Sequence, residues 1–224
     1  MKIAFLGKGG SGKSTMATAL VQHLQGVGYK VLAIDADHNM DLAYNLVAEP
    51  SVFLGADPDA IKEYVGCTRE DSFGASMRSA QERGVRFNAF PADPFTEAHT
   101  TLVDDRLRLM VAGPHTERVR SQDACSHSLA APLKTYIPLL QLRENEAVVI
   151  DERAGTDPVA TGILSGVTLA VIVEEPTINS ERVAKQIAHE LQLANVPHIV
   201  VHNKREGVAL DTKKAIEKIV GAVR

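Results

Sequence analysis

The segment Gly7-Lys8-Gly9-Gly10-Ser11-Gly12-Lys13-Ser14-Thr15 constrains the fold more than any other part of the chain. An apolar run, Ile3 to Leu6, precedes it, and a helix-patterned stretch, Met16 to Leu24, follows. Strand, glycine loop and helix in that order make the unit that wraps a phosphate group. Glycines let successive backbone N–H groups turn toward one anion, and the start of the new helix adds its partial positive charge. Gly9, Gly10, Ser11, Gly12 and Thr15 are therefore candidate nucleotide-binding positions. Lys13 and the Ser14 hydroxyl are left to meet the terminal phosphates and Mg²⁺. A second lysine, Lys8, stands near the start of the loop and has no partner charge among the loop residues.

With 224 residues the chain fits one large domain, residues 1–224, with enough interior for a sizeable core. A hydrophobic fraction of 45% with 23% charged residues is that of an ordinary globular protein, which excludes fibrous and disordered classes. The net charge of -4 argues against a dedicated nucleic-acid binder. No apolar run approaches the ~18 residues a membrane span needs, and the N-terminus reads as the first strand and not as a signal peptide. Cys67 and Cys125, without a secretory signal, suggest a reducing cytoplasm and free or metal-bound thiols.

Apolar runs alternate with helix-periodic stretches, the pattern of parallel strands joined by crossover helices in a doubly wound, mostly parallel α/β sheet. Strands are expected at Lys2–Leu6, Val31–Asp35, Arg108–Ala112, Ala147–Asp151, Leu169–Val173 and His198–His202. Helices are expected at Lys13–Gly26, Ala130–Leu142, Asn179–Leu193 and Asp211–Val223. The stretch from about Leu46 to Asp105, which holds Pro50, Pro58, Pro91 and Pro94, breaks the rhythm and reads as short helices and loops. Its best helix candidate is Pro58–Val65, with Asp57 as cap. No linker is long enough to divide the chain.

A doubly wound sheet binds ligands at the carboxyl ends of its strands, so the polar residues following those strands carry the chemistry. After the second strand, Asp35, Asp37 and Asp41 fit indirect Mg²⁺ coordination and the orientation of an attacking water. Val148-Val149-Ile150 closes on Asp151, the position of a second metal-site acid. Glu152, Arg153 and Asp157 follow, either as functional charges or as ordinary loop charges, around an Ala154-Gly155 pair that lets the backbone approach a γ-phosphate. The sixth strand runs into Asn203 and Lys204, and a carboxamide at Asn203 can both donate to and accept from adenine. A guanine-selecting pattern would place Asp where Glu206 stands, so ATP is favoured over GTP.

Taken together, the loop GKGGSGKST with its early lysine resembles the deviant Walker A loop of the MinD/ParA and nitrogenase-iron-protein superfamily of P-loop NTPases. The resemblance implies an ATPase that dimerises on binding ATP, with Lys8 reaching across the homodimer to the phosphates held by the other subunit. It also implies that Lys13 and Ser14 hold phosphate and Mg²⁺, Asp37 positions the hydrolytic water, Asp35 and Asp151 act around the metal, and Asn203 reads adenine.

The strings AIDADHNMDLAYNL, RLRLMVAGP, VVIDERAGTD, VIVEEPTINSERVAKQI and VVHNK further resemble the CooC-type maturation ATPases of nickel-containing carbon monoxide dehydrogenase. By that resemblance the client would be a nickel enzyme. The CooC-type proteins carry a Cys-x-Cys pair whose two copies in a dimer bind one metal ion. Here the comparable segment has Cys125 and His127, which would give a dimer an S₂N₂ set for Zn²⁺ or Ni²⁺, unless the site has been lost. His115 is a further candidate ligand, Cys67 reads as core, and His23, His189 and His198 read as surface or helix-face residues. The terminal helix loosely matches a basic amphipathic membrane anchor. It lacks Phe and Trp, however, and reads better as packed on the sheet. A MinD/ParA-type positioning ATPase, acting at a membrane or on a partner, and a nucleotide-dependent binding module with little turnover are the other two readings.

Overall fold

The computed structural model describes residues 1–46, 49–204 and 212–223. Strand β1 (Lys2–Gly7) feeds the glycine loop and helix α1 (Lys13–Gly26), followed by β2 (Lys30–Asp35) and α2 (Asp41–Asn45). The middle of the chain holds α3 (Ala60–Tyr64), α4 (Phe73–Glu82), β3 (Phe87–Asn88), α5 (Pro94–Ala98), β4 (Thr101–Asp104), β5 (Leu107–Val111) and α6 (Glu117–Arg120). After a short 3₁₀ turn at Ser126–Ala130 come α7 (Leu133–Leu139), β6 (Leu140–Gln141), β7 (Glu146–Asp151), α8 (Asp157–Ala160) and β8 (Leu169–Glu174). The chain ends with α9 (Ile178–Leu193), β9 (His198–His202) and α10 (Thr212–Gly221).

Seven strands form one sheet in the order β4-β5-β2-β7-β1-β8-β9, parallel throughout except for the antiparallel edge strand β4. The α/β doubly wound architecture read from the alternating pattern is the one observed. Alternate residues of each strand face opposite ways, and both faces are covered. Ile3, Phe5, Val31, Ala33, Val149 and Val171 pack under α1 and α10, against Met16, Leu20, Ile216 and Ile219. Ala4, Leu6, Leu32, Ile34, Ile150 and Ile172 pack on the opposite side, against Tyr136 and Ile137 of α7 and Ile187 and Leu191 of α9. Burial on both faces explains why these strands read as continuous apolar runs.

Three expectations are corrected. The helix expected over Ala130–Leu142 is only α7, preceded by the 3₁₀ turn and followed by β6. Pro132 and Pro138 both lack an N–H, and Leu140 turns extended to pair with Phe87 of β3. The helix expected at Pro58–Val65 narrows to α3, and its N-cap position is Asp59, not Asp57. Asp57 instead pairs with Arg69 at 2.7 Å. The irregular middle segment also contains a ten-residue helix, α4, whose N-cap Ser72 accepts a hydrogen bond from the Ala75 N–H, and the edge strand β4.

The terminal helix packs on the sheet as expected, with Ala215, Ile216 and Ile219 buried; Asp211 lies outside the described residues. No described helix is long and apolar enough to cross a membrane. Cys67 is half-buried and packs against the core.

Candidate nucleotide-binding site

Cross-strand register brings the carboxyl ends of three strands together: Asp151 of β7 stands beside Phe5 of β1 and beside Asp35 of β2. The loop leaving β1 therefore faces two buried carboxylates. Its turn requires φ of +79° at Gly10 and +98° at Gly12, a region open to glycine. A side chain on Gly12 would also collide with the Asn203 amide. Helix α1 begins at Lys13 without a side-chain cap, which suits an anion as acceptor for the N–H groups of its first turn.

Around this loop lies a cleft of about 700 Å³, walled by Gly10, Lys13, Ser14, Asp37, Asn203 and Lys204 among others. The Lys13 ammonium is mostly buried and donates to the Lys8 carbonyl at 3.4 Å. A second cleft of about 710 Å³ lies between β9 and α9, but Glu174, Glu175 and Glu181 line it. Those three carboxylates outnumber Lys185 on its wall, whereas Lys13 and Lys204 balance Asp37 and Asp41 around the glycine loop, so charge favours the glycine-loop cleft for a polyphosphate.

The Asp35 carboxylate accepts the backbone N–H groups of Ala43 (3.0 Å) and Asp37 (3.2 Å). Burial pushes its carboxyl up to about 7 and that of Asp151 up to about 6, the latter opposed by the Ser14 hydroxyl and the Lys13 charge. Oδ1 of Asp151 has no hydrogen-bond partner among the described residues. A buried carboxylate with a free oxygen, beside a serine hydroxyl and a second carboxylate, is a set of hard oxygen donors that fits Mg²⁺. Asp37 sits on the cleft wall, where Oδ1 accepts the Asn39 N–H at 3.1 Å and lies 3.1 Å from Nδ1 of His38.

Sequence reasoning left Glu152 open as a functional or an ordinary loop charge; it is 1% exposed, and neither of its oxygens has a partner among the described residues. Burial, then the neighbouring Asp151 charge, pushes its carboxyl up to about 8, so it is neutral at pH 7.

Asn203 donates its amide to the Ser11 carbonyl at 2.7 Å and accepts the Lys204 N–H at 2.8 Å. Among the described residues, one N–H and one lone pair of the carboxamide are left without a partner. The Lys204 ammonium donates to the Gly10 carbonyl. Glu206 lies outside the described residues.

Lys8 is not a wall of its own cleft. Its ammonium donates to Oε1 of Glu175 at 3.0 Å, and Lys204 lies 3.5 Å from Oε2 of the same carboxylate. The two lysines hold the Glu175 carboxyl below the usual range, Lys8 contributing most. The sequence reading missed Glu175. Its signal was a pair of carboxylates, Glu174-Glu175, directly after a wholly apolar strand at the ligand-binding end of the sheet.

Cys125 and His127 both lie at the surface, with Sγ 2.7 Å from Nδ1. Nε2 of His127 is 2.8 Å from Oδ2 of Asp157, the first residue of α8. His127 pulls the thiol down, while Cys125 and Asp157 push the imidazole up. Among the described residues no group of three or more His, Cys, Asp or Glu is arranged to hold a metal ion. Cys125 and His127 are thus two potential donors side by side and no more. His115 does not add to them; its ring stacks on His38 with centroids 4.3 Å apart.

The family model described as the CobQ/CobB/MinD/ParA nucleotide binding domain matches residues 3–223. The chain is 31% identical over 202 residues to the carbon monoxide dehydrogenase accessory protein CooC of Rhodospirillum rubrum, covering 89% of this chain and 73% of that protein. It is 27% identical over 196 residues to an uncharacterized ATP-binding protein of Methanocaldococcus jannaschii, covering 84% of this chain and 72% of the other. The crystal structure of the cell division ATPase MinD from Pyrococcus furiosus shares the fold, with a TM-score of 0.59 at 21% identity over 98% of this chain and 79% of that one. With its glycine loop, its paired buried carboxylates and a CooC-like sequence along nearly its whole length, the chain belongs to the CobQ/CobB/MinD/ParA nucleotide-binding family.

Proposed function

We propose that the chain is a deviant Walker A ATPase that binds ATP with Mg²⁺, closes into a homodimer and reopens after slow hydrolysis, serving as a metallocentre maturation factor of the CooC type. The observation that carries this reading is the direction of Lys8: a conspicuous lysine in the phosphate loop whose ammonium leaves its own cleft and sits at the rim. A cation there is available to phosphates on another copy, where it would stabilise charge on the transferring phosphoryl group as an arginine finger does.

In this reading the backbone of Gly9–Thr15 and the Lys13 ammonium grip the phosphates, and Ser14, Asp35 and Asp151 would hold Mg²⁺, partly through water. Mg²⁺ when bound neutralises phosphate charge. Asp37 accepts a hydrogen bond from the attacking water and orients it, while Asn203 and Lys204 border the base. The 31% identity to an accessory protein of carbon monoxide dehydrogenase favours a client whose metal centre is being assembled, with nickel as the metal it implies. The apolar side of α10, which a membrane anchor would need, is buried against the sheet, and this favours a protein client over a bilayer.

Light scattering with Mg²⁺ and a non-hydrolysable ATP analogue, beside a phosphate-release assay, tests the reading. Lys8→Ala is expected to weaken analogue-driven dimerisation, without abolishing it at high protein concentration, and to abolish turnover while keeping analogue affinity. Asp37→Ala is expected to keep dimerisation and lose turnover. Unchanged dimerisation in Lys8→Ala would remove the shared site, and unchanged turnover in Asp37→Ala would remove its assigned role.

A further inference from the structure

The geometry points to Glu175 as a positioning residue that ties Lys8 to its own subunit and thereby sets how readily two ATP-loaded copies share their sites. This rests on the shared-site reading of Lys8 above, and it adds a competing partner within the same chain.

The Lys8 backbone is fixed: its carbonyl accepts the Ser11 N–H at 3.2 Å and the Lys13 ammonium at 3.4 Å. Only its side chain is left to swing, and that side chain is 38% exposed. Glu175 is far less free. Its side chain is 13% exposed, and its N–H donates to Oγ of the buried Ser180 at 3.0 Å. The Ser180 N–H in turn donates to Oγ1 of Thr177, the N-cap of α9, at 3.2 Å. The carboxylate is thus anchored at the β8–α9 junction, and the lysine is the member that leaves.

Breaking a partly buried ion pair normally strands one charge. Here Lys204 already stands 3.5 Å from the other oxygen of Glu175, while its ammonium also contacts the Gly10 carbonyl. When Lys8 departs, Glu175 keeps a cation. Two lysines on one carboxylate make the exchange cheap, so a partner's phosphates can draw Lys8 away.

Each copy must open one such pair to give up its lysine. A pair of this exposure changes an equilibrium by about two- to fivefold, so two of them change the dimer dissociation constant by about four- to twenty-five-fold. The test measures dimerisation by light scattering across protein concentration, with Mg²⁺ and a non-hydrolysable ATP analogue. It uses the unmodified chain, Glu175→Gln, Lys8→Ala, the double variant, and Glu174→Gln, whose carboxylate faces His202 at 3.0 Å.

Glu175→Gln is expected to tighten the dimer by that factor, Glu174→Gln to leave it unchanged, and the gain to vanish when Lys8 is already alanine. A merely structural role for Glu175 would not depend on Lys8. Should Lys8→Ala weaken the dimer while Glu175→Gln leaves it unchanged or weaker, the tether alone is overturned and the shared site stands. Equal tightening by Glu174→Gln would also overturn it, because a general charge effect would then suffice. If Lys8→Ala dimerises normally, the shared site fails and the tether with it.

Discussion

Asp151 is a residue the fold would keep more easily as an amide. Its carboxyl is pushed up to about 6 by burial, so at neutral pH the chain holds a desolvated charge with one oxygen unpartnered among the described residues. Such a cost persists where function needs it. Asn at this position keeps the shape and the contact with Ser14 and removes the charge. Asp151→Asn should therefore melt at the same temperature or higher, while its Mg²⁺-dependent gain in ATP affinity falls about ten- to a hundredfold, the range for partners acting on a metal through its ligands. Thermal melts and calorimetric ATP titrations with and without Mg²⁺ check both halves. A lower melting temperature with unchanged Mg²⁺ dependence would make Asp151 structural. At this scale the site was legible wherever a residue type demands a special setting: a glycine at φ +98°, or an aspartate closing an apolar run. It was illegible where the setting comes from elsewhere in the chain. Nothing local marks Glu152 as buried, since its cover is the tertiary fold, and nothing near Lys8 announces a carboxylate 167 residues away.

Elements were legible in proportion to how completely the sheet dictates them. Strands β1, β2, β7 and β8 are buried on both faces and appear in the sequence as unbroken Val/Ile/Leu runs. The edge strand β4 was not, because Leu102 and Val103 are exposed and its register shifts between Leu102 and Asp104. In α7 the apolar period ran straight into β6, and periodicity alone does not show where a helix gives way to a buried strand. For α10 two periodic readings competed, membrane anchor and packed helix, and burial of Ile219 at 0% exposure favours the second. If α10 is part of the core, Ile219→Ala should cost about 2–5 kcal/mol of unfolding free energy. Urea denaturation measures this. A change under about 0.5 kcal/mol, the range for surface substitutions, would return α10 to the surface.

The whole molecule couples two places that the sequence presents as separate motifs. Gly155 donates its N–H to the Gly7 carbonyl at 3.1 Å, so the segment after β7 is stitched to the start of the phosphate loop. Two residues on, Asp157 holds Nε2 of His127, whose Nδ1 faces the Cys125 thiol. A carboxylate on one imidazole nitrogen, with the other turned to a second donor, is the arrangement that orients a metal-binding histidine. Among the described residues these are two donors, so in the proposed reading a tetrahedral ion would be completed by a second copy. If two copies share the ion, dimer closure and metal binding favour each other, and by linkage the metal tightens the dimer as much as the dimer tightens the metal. Titrating Zn²⁺ or Ni²⁺ into the chain with Mg²⁺ and a non-hydrolysable ATP analogue should give one ion per two chains. Without nucleotide the binding should be weaker. Cys125→Ser should abolish it, and Asp157→Asn should weaken it about ten- to a hundredfold. One ion per chain, or binding that survives Cys125→Ser, would mean that the Cys125–His127 pair is not the metal site and that the maturation reading must rest on the nucleotide switch alone.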